Sequence, residues 1–378
     1  MRHVNLFSFA FGNLAHRPAR TALTVSAMSL GIAAVVALTG ISWGFEASWQ
    51  KANDARGTDL IITRLASENA MPSAFAANDP EQKLKSYPHV QECVGLLSEM
   101  LSVSDDTPPV FVFGWAFDSY LWRHLTLLRG HWPAGDGEAT VMLGSLAAEL
   151  LHKKPGDALE IEGDRFMVAG VFESPAVVEN GAVLMTLSQA QRVTDKPGKV
   201  NVLNLKLDPQ ATAADLEALK ARVHVDFPGF VAMTSGELVA NNTMVRISKA
   251  MSNATILISS LVGALIVFNT MLMSINERKR DIGVLLALGW HRTTIMQLVV
   301  CESIAMTLSG GVLGIAAGVG IAGGLEHLDL LRGKIDAVYS APFFLAVLGL
   351  AILIGLMGGC YPAFHASRLR PAQALRHE

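Results

Sequence analysis

The stretch Ala22–Ile41, with the sequence ALTVSAMSLGIAAVVALTGI, contains no charged side chain. An α-helix rises about 1.5 Å per residue and the hydrocarbon core of a membrane is about 30 Å thick, so roughly 20 residues of this kind cross it. Three more apolar runs follow, at about 254–275, 295–325 and 342–363, and Glu302 is the single formally charged residue within them. The sequence therefore predicts four membrane-spanning helices.

The first apolar run is expected to remain in the protein as an anchor. About twenty residues precede it, among them Arg17 and Arg20, and the run exceeds the roughly 7–15 apolar residues of a signal peptide. Within that preceding segment Val4, Phe7 and Phe11 recur at helical spacing, with polar residues between them. This pattern is typical of a short amphipathic helix lying in the membrane interface.

The composition separates a polar middle region from apolar flanks. Hydrophobic residues make up 51% of the 378 and charged residues 17%, against about 25% charged in an ordinary soluble domain. Residues 45–250 hold 18 basic and 26 acidic side chains, whereas the remainder holds 12 basic and 7 acidic ones. This asymmetry favours a soluble domain inserted into a membrane protein. Because Cys93 is its only cysteine, the domain needs a packed core in place of a disulfide framework.

Basic residues cluster next to the apolar runs. They lie before the first run (Arg2, Arg17, Arg20), between the second and third (Arg278, Lys279, Arg280, Arg292) and after the fourth (Arg368, Arg370, Arg376). With four spans these three segments share one side of the membrane. Because cytoplasmic loops are enriched in Lys and Arg, that side is predicted to be the cytoplasm. Both termini are then cytoplasmic, and residues 45–250 lie on the opposite side.

The polar middle region mixes strand and helix patterns. Short stretches rich in β-branched or aromatic residues predict strands, and Glu162-Gly163-Asp164 predicts a hairpin turn between two of them. Thr212, with Asp215 three residues later, predicts a capped helix over Ala213–Val225. The region is therefore expected to be an α+β domain. Its clearest strands are predicted at Asp59–Thr63, Val110–Ala116, Ala158–Ile161, Arg165–Phe172 and Val200–Leu207.

The end of this region carries a helix start at Ser235-Gly236-Glu237. No Gly or Pro follows it until Gly263, and Leu238, Val245 and Met251 keep helical phase. This pattern predicts one continuous helix that leaves the domain and becomes the second span. A stalk of this kind would transmit displacement between the two sides of the membrane.

The segment Asn276–Arg292, NERKRDIGVLLALGWHR, lies between the second and third spans. Charges cluster at its start, then Ile282, Leu285 and Leu288 form an apolar face, and Gly289 ends the turn. One interpretation is an amphipathic helix that docks in the groove of a partner. The other is a positively charged loop that only satisfies the topology rule. Composition alone leaves both open.

The sequence offers no convincing catalytic or metal-binding pattern. The histidines of the polar region are scattered, with no i,i+4 pair and no cysteine neighbour suited to zinc. Neither G-x-S-x-G nor G-x-x-x-x-G-K-[ST] occurs. The chain is therefore expected to bind no metal or cofactor itself. If the protein uses ATP, the nucleotide and its Mg²⁺ are expected on a partner ATPase.

The run ERKRDIGVLLALGWHRTTIMQLVVCESIAMTLSGGVLGIAAG at 277–318 resembles the FtsX-like permease domain shared by MacB-type (mechanotransmission) ABC transporters. The tail GGCYPAFHASRLRPAQALR is similar to the closing motif of that family. Leu128–Gly144 and Gly156–Phe172 look like its extracytoplasmic domain, with His131 where Arg is common. The resemblance extends over most of the chain, with these motifs spread over residues 128–376.

The resemblance assigns roles to individual residues. The family's coupling helix, which contacts the ATPase, has the pattern E-R-x-x-E-I-G-x-L-x-A-L-G, and here Asp281 replaces the usual Glu. Glu302 matches an acidic residue early in the third span and is expected to be structural or conformational, because a charge in a span is costly unless paired. The coupling residues are Glu277, Arg278, Lys279, Arg280, Asp281, Ile282, Gly283, Leu285, Leu288 and Gly289; the helix-packing glycines, spaced for close helix approach, are Gly310, Gly311, Gly314 and Gly318.

The resemblance also implies a function. It predicts a permease in the bacterial inner membrane that pairs with a second copy or a paralogue and binds a separate ABC ATPase. The machine would export or extract a substrate from the periplasm or outer leaflet, contacting membrane lipid and no nucleic acid. Export with a periplasmic adaptor and an outer-membrane channel, release of lipoproteins or lipid, and activation of a cell-wall hydrolase by an FtsX-like signalling protein are the alternatives. A domain of about 200 residues favours transport or extraction over signalling.

These expectations divide the chain into nine segments. They are a cytoplasmic amphipathic segment (1–21), span one (22–44), the extracytoplasmic α+β domain (45–235), the stalk and span two (236–275), the coupling helix (276–292), span three (293–325), an extracytoplasmic loop (326–341), span four (342–363) and a cytoplasmic tail (364–378).

Overall fold

A computed structural model describes residues 18–64, 73–103, 109–328 and 337–369 of the chain. The predicted amphipathic segment before the first span and most of the predicted cytoplasmic tail lie outside these ranges. The chain divides into two compact units. The helical unit comprises Met1–Ile41, Lys249–Gly324 and Val338–Glu378, and the sheet unit comprises Ser42–Ser248 and Leu325–Ala337.

The described residues form helices and strands in the following chain order. The helices are α1 (Pro18–Ala55), α2 (Asn78–Lys85), α3 (Ser145–Leu150), α4 (Val177–Asn180), α5 (Leu187–Val193), α6 (Ala213–Asp226), α7 (Ser235–Asn241), α8 (Thr243–Glu277), α9 (Lys279–Ala287), α10 (Arg292–Glu326) and α11 (Ala341–Ser367). The strands are β1 (Leu60–Arg64), β2 (Phe75–Ala76), β3 (Val90–Leu101), β4 (Val110–Trp115), β5 (Thr126–Gly130), β6 (Thr140–Gly144), β7 (Ala158–Ile161), β8 (Asp164–Glu173), β9 (Val183–Thr186), β10 (Lys199–Val200), β11 (Val202–Leu207) and β12 (Phe230–Met233).

Four helices within the described ranges, α1, α8, α10 and α11, are long and apolar enough to cross a membrane. The predicted number of spans and the α+β character of the region after the first one are thereby confirmed. A helix of 20 residues already spans the hydrocarbon core, and α1 has 38 residues. Helix α1 therefore extends well beyond its apolar run, and its last residues, from Ser42 on, belong to the sheet unit.

The sheet unit is built on a ten-stranded mixed sheet among the described residues. Its strand order is β12-β1-β11-β3-β4-β9-β6-β8-β5, with β7 paired to β8. The pairs β4–β9 and β6–β8 are parallel and the other pairs are antiparallel. All six residues of β4 are buried, so both faces of the sheet are covered at its centre.

Local signals in the sheet unit were read correctly from the sequence. Each of the five predicted strands corresponds to an observed one, with ends shifted by two residues or fewer. Glu162 and Gly163 both have positive φ, 50° and 86°, as a two-residue type I′ turn requires. Thr212 and Asp215 form a reciprocal capping box at the start of α6.

The predicted continuous helix from Ser235 into the second span is wrong. Helix α7 ends at Asn241, and Asn242 has the extended conformation φ −63°, ψ 124° before α8 begins. The Oδ1 atom of Asn242 accepts a hydrogen bond from Val245 N at 3.4 Å, as an N-cap side chain does. Asparagine competes with helical hydrogen bonds through its own side chain, so the pair Asn241-Asn242 was the signal for the break.

Within the helical unit, one face of α10 lies directly against α1. A Cβ placed on Gly314 would lie 2.7 Å from Ile32 Cβ and 2.8 Å from the Ser29 carbonyl oxygen. Gly310 and Gly318 are equally close to Met28 and Val36. The glycines of α10 and the α1 side chains that they contact each recur every four residues. Successive helical turns therefore make the same contact. In lipid, where apolar side chains gain nothing by leaving the solvent, such close backbone approach is what holds helices together.

Helix α11 packs on α10 through a second set of small residues. A Cβ on Gly311 would lie 3.1 Å from Ala351 Cβ, and one on Gly355 would lie 2.5 Å from Thr307 Oγ1. Ser303 Oγ donates a hydrogen bond to the Gly355 carbonyl oxygen at 3.0 Å. Gly311 thus faces a different helix from Gly310, Gly314 and Gly318, and α10 is held on two sides.

We predict that Gly314→Ala destabilises the protein by about 1–3 kcal/mol, because the added methyl group overpacks the contact with α1. Gly320→Ala is the matched control on the same helix. Among the described residues, no atom outside the helix's own backbone lies within 4 Å of its added Cβ, and alanine favours a helix by up to about 1 kcal/mol over glycine. Thermal unfolding of both purified variants in detergent measures the difference. Equal stability of the two would contradict the packing argument.

Candidate functional site

Helix α9, the short helix between α8 and α10, is the first part of the candidate site. Arg278 interrupts the helical path between α8 and α9, with φ −106° and ψ 17°. At the other end Gly289 has φ +89°. Gly289 N donates to the Leu286 carbonyl and Trp290 N to the Leu285 carbonyl, both at 3.1 Å. This is a Schellman motif, in which glycine takes the left-handed position and ends the helix.

The apolar face of α9 points into the helical unit. Ile282 and Gly283 are buried, and Leu285 is partly buried against the same core, which includes Met271 and Ile295. The contacts of these residues with that core therefore hold α9 against the rest of the helical unit. An acidic substitution at Ile282 or Leu285 would disturb the fold before it affected the docking of a partner. Burial is a tertiary property that the helical spacing could not reveal.

The exposed face of α9 carries four of the predicted coupling residues (Lys279, Arg280, Asp281 and Leu288) together with Val284, which the sequence analysis did not single out. Val284 is 41% exposed and Leu288 73% exposed, and the two lie four residues apart, on one side of the helix. Lys279, Arg280 and Asp281 are also exposed. We call these five residues the α9 surface. It places two exposed apolar side chains next to charges of both signs.

Two ion pairs hold the ends of the helices next to α9. Arg20 on α1 donates two hydrogen bonds to the Glu277 carboxylate, at 2.7 Å and 2.6 Å. Arg278 Nη1 lies 3.1 Å from Glu302 Oε1. Glu302 is buried on α10, and its pairing with Arg278 removes the cost of an isolated charge in that position. The first pair connects the start of α1 to the end of α8, and the second connects Arg278, at the break before α9, to α10.

A cavity of about 710 Å³ opens beside these ion pairs. Arg20, Glu277, Arg278 and Glu302 line it together with apolar residues of α8, α9 and α10. The lining of this cavity in the helical unit is therefore partly charged and partly apolar.

A second polar cluster lies in the sheet unit, at the end of α1. Glu179 on α4 is fully buried and accepts a hydrogen bond from Arg56 Nε at 2.8 Å. His124 Nε2 lies 2.7 Å from the other carboxylate oxygen, and Ser174 Oγ donates to it as well. The Arg56 guanidinium also lies over the ring of Trp115, 5.2 Å from its centre. We call Arg56, His124, Ser174 and Glu179 the Glu179 cluster.

The Glu179 cluster fixes the charge state of its carboxyl group. Burial alone would raise the pKa of Glu179, but the charge of Arg56 and the hydrogen bonds from His124 and Ser174 outweigh it. The pKa of Glu179 is therefore lowered from its ordinary value. One further hydrogen bond, from Val178 N to Ser48 Oγ at 2.9 Å, ties the same end of α1 to α4.

Sequence reasoning missed this cluster. Arg56 and Glu179 are 123 positions apart, and no local pattern joins them. The available signal was a single glutamate in the apolar context AVVENGAVL, which would be costly to bury without a partner. Among the residues that the structure describes, no group of three or more His, Cys, Asp or Glu side chains could hold a metal ion.

Two family models match the chain and between them cover most of it. Residues 21–222 match the MacB-like periplasmic core domain, and residues 253–371 match the FtsX-like permease C-terminal domain. The chain belongs to the MacB/FtsX-type permeases of ABC transporters. The sheet unit accounts for most of the first match. Helix α9 and the Arg278–Glu302 pair fall within the second, whereas Arg20 lies just before the first.

Relatives of the permease support this assignment. It is 27% identical over 385 residues to the macrolide export ATP-binding/permease protein MacB of Nitrobacter winogradskyi, covering 97% of this chain and 59% of that protein. It is 24% identical over 405 residues to an uncharacterized ABC transporter permease of Methanocaldococcus jannaschii, covering 100% and 99%. The permease thus spans less than two thirds of its MacB relative and nearly all of the archaeal one.

A solved structure also matches part of the permease. The periplasmic region of MacB from Actinobacillus actinomycetemcomitans aligns with a TM-score of 0.38 and 14% identity, covering 53% of this chain and 96% of that one. The family assignment rests on the two domain matches.

We predict that Glu179→Gln destabilises the permease by about 3–5 kcal/mol at neutral pH, because it leaves Arg56 buried without its counter-charge. The pKa of Glu179 is lowered from 4.5 in the folded protein. Its carboxylate therefore stabilises the fold above pH 4.5, and this contribution is lost as the pH falls through the folded-state pKa. The difference between variant and parent should shrink on acidification below pH 4.5.

The measurement is thermal unfolding of the full chain in detergent between pH 3 and pH 8, with tryptophan fluorescence as the signal. Glu173→Gln, which changes an exposed carboxylate on β8, is the control and should leave stability unchanged. A Glu179→Gln variant as stable as the control at pH 7 would show that the ion pair contributes nothing.

Proposed function

We propose that this chain is the permease part of an ABC transporter whose ATPase binds the α9 surface. ATP and Mg²⁺ are bound by that ATPase, which we expect to be a separate chain. Its ATP-driven closure displaces α9, and the displacement reaches the sheet unit outside the cytoplasm. The output is export or extraction of a substrate from the periplasm or the outer leaflet of the membrane.

The exposure of Val284 and Leu288 is the observation that supports this proposal most directly. A helix of nine residues is too short to be stable alone, so α9 depends on its buried face and on its Schellman end. That support leaves the opposite face rigid and free for a partner. A preorganised surface loses little conformational entropy on binding, which favours specific docking.

The Glu179 cluster supports the second step of the proposal. Its Arg56–Glu179 ion pair joins the end of α1 to α4, and the Ser48–Val178 hydrogen bond joins the same two helices. Because this connection is rigid, a displacement of α1 would then move α4 and the sheet as well. The break at Asn242 separates α7 from α8, so α1 is a better candidate for the transmitting helix than the second span.

We further propose that two copies, or this chain and a paralogue, pair in the inner membrane with both termini in the cytoplasm. Helix α8 fits a peripheral position. Only 17% of its 18-residue apolar stretch is buried, compared with 39% in each of the other three spans. Its exposed side chains include Leu257, Leu261 and Leu265. These residues would face lipid or the second copy. A periplasmic adaptor with an outer-membrane channel would serve export, whereas extraction needs neither.

We predict that Val284→Asp and Leu288→Asp each reduce the amount of bound ATPase at least tenfold, because a charge in a desolvated contact costs more than about 1.4 kcal/mol. Native-membrane affinity purification of the tagged chain, followed by mass spectrometry, measures the ATPase recovered per permease. Near-equal amounts of an ABC ATPase with the parent chain are expected.

Val225→Asp is the matched control, since Val225 is 75% exposed on α6 in the sheet unit. It should retain the ATPase at the parental level. Unchanged thermal stability of the two α9 variants would separate lost docking from lost folding. If both variants fold and still recover the ATPase in full, α9 is not its binding site.

A further inference from the structure

The sheet unit contains a partly enclosed pocket that the proposed ATPase coupling does not use. Its volume is about 120 Å³. Its floor is one face of neighbouring strands, as the alternate residues Leu96, Ser98 and Met100 of β3 and Phe111 and Phe113 of β4 show.

Helical segments form the walls of the pocket. Phe45, Trp49 and Asn53 of α1 line it at intervals of four residues, so they share one face of that helix. Val239 of α7 and Val245 of α8 lie on the other side. The lining is therefore mostly aromatic and aliphatic, as in sites for small organic ligands.

Polar side chains interrupt this apolar lining, and three of them, Asn53, Arg56 and Asn204, are almost completely buried. Asn204 is 1% exposed, Asn53 3% and Arg56 5%. Asn204 lies on β11 in the middle of the sheet, where its strand neighbours Ile61 and Val94 are apolar. Buried polar groups are costly unless they are hydrogen-bonded, so their presence here needs a reason.

Several polar atoms of this lining have no hydrogen-bond partner among the residues that the structure describes. They are Trp49 Nε1, Asn53 Nδ2, Arg56 Nη2, Asn204 Nδ2 and Asn204 Oδ1. Four of the five are donors and one is an acceptor. The other nitrogens of Arg56 are engaged, Nε with Glu179 and Nη1 with Asn53 Oδ1. The pocket thus offers an excess of N–H groups next to an apolar wall.

We infer that this pocket binds the acyl head of a small amphiphile, a carboxylate or ester carbonyl followed by an apolar chain. The oxygen atoms of such a head accept from the four free donors, and the first carbons of the chain contact Trp49 and Phe111. An apolar cavity of about 150 Å³ holds one benzene molecule, so a pocket of 120 Å³ takes the head and the first few carbons. The inference stands apart from ATPase docking on α9.

The test uses the full chain in lipid nanodiscs and a photoreactive octanoic acid with a diazirine on its chain. Crosslinked peptides identified by mass spectrometry should contain Trp49, Met100 or Phe111. Excess octanoate or methyl octanoate should abolish this labelling, and the stronger competitor tells whether a free acid or an ester is the natural ligand. Excess 1-octanol, which has the same apolar chain but no carbonyl, should not compete.

Two variants check the polar contacts. Asn204→Leu replaces the amide by an apolar group of similar size and should lower probe affinity at least tenfold. Because it removes a buried amide that has no protein partner, its thermal stability should equal or exceed that of the parent. Trp49→Phe keeps the ring contact with Phe111 and removes one donor, and it should weaken binding less.

Three outcomes would overturn the inference. Labelling of the pocket that no competitor reduces means that the probe enters nonspecifically. Equal competition by 1-octanol means that the donors do not recognise an acyl head. Unchanged affinity in both folded variants means that the probe binds elsewhere, with the polar atoms of the pocket serving only the fold.

Discussion

The close contact between α10 and α1 is the constraint on which the helical unit depends. Gly310, Gly314 and Gly318 bring the α10 backbone to the side chains of Met28, Ile32 and Val36 without a gap. Any side chain at these glycines would push the helices apart, and lipid offers no hydrophobic gain to compensate. Helix α10 also carries Glu302, so the same contact places this carboxylate where Arg278 reaches it.

The position of Arg278 determines which side chains of α9 are buried and which are exposed. Because Arg278 leaves the helical path between α8 and α9 and pairs with α10, α9 turns Ile282 and Gly283 inward. The large apolar residues left outside are Val284 and Leu288. The amphipathic pattern alone suggests that the apolar face of Ile282, Leu285 and Leu288 meets a partner. In the structure Ile282 and Leu285 pack within the chain itself, and Leu288 remains exposed for a partner together with Val284.

For most features with a local signal, the sequence was sufficient to predict the structure. Apolar run length predicted four spans, and capping residues and turn glycines predicted α6 and the β7–β8 hairpin. It failed where the outcome depends on distant partners. The mixed order of the ten strands, the burial of Ile282 and the pairing of Arg56 with Glu179 follow from contacts between segments far apart in the chain. The break at Asn242 is a different case, because its cap signal was local and visible but was outweighed by the absence of Gly and Pro.

The Glu179 cluster shows why a buried ion pair is useful at the end of α1. Apolar residues of similar volume often stabilise a protein as well as a buried ion pair does, so stability alone does not account for Arg56 and Glu179. An ion pair with two further hydrogen bonds tolerates little change in distance or angle, whereas apolar contacts slide. It therefore fixes the last residues of α1 within the sheet unit. The same guanidinium has no acceptor for Nη2 among the described residues, beside a pocket lined by Trp49 and Asn53. A ligand that accepts from Nη2 would therefore contact the group that anchors this end of α1.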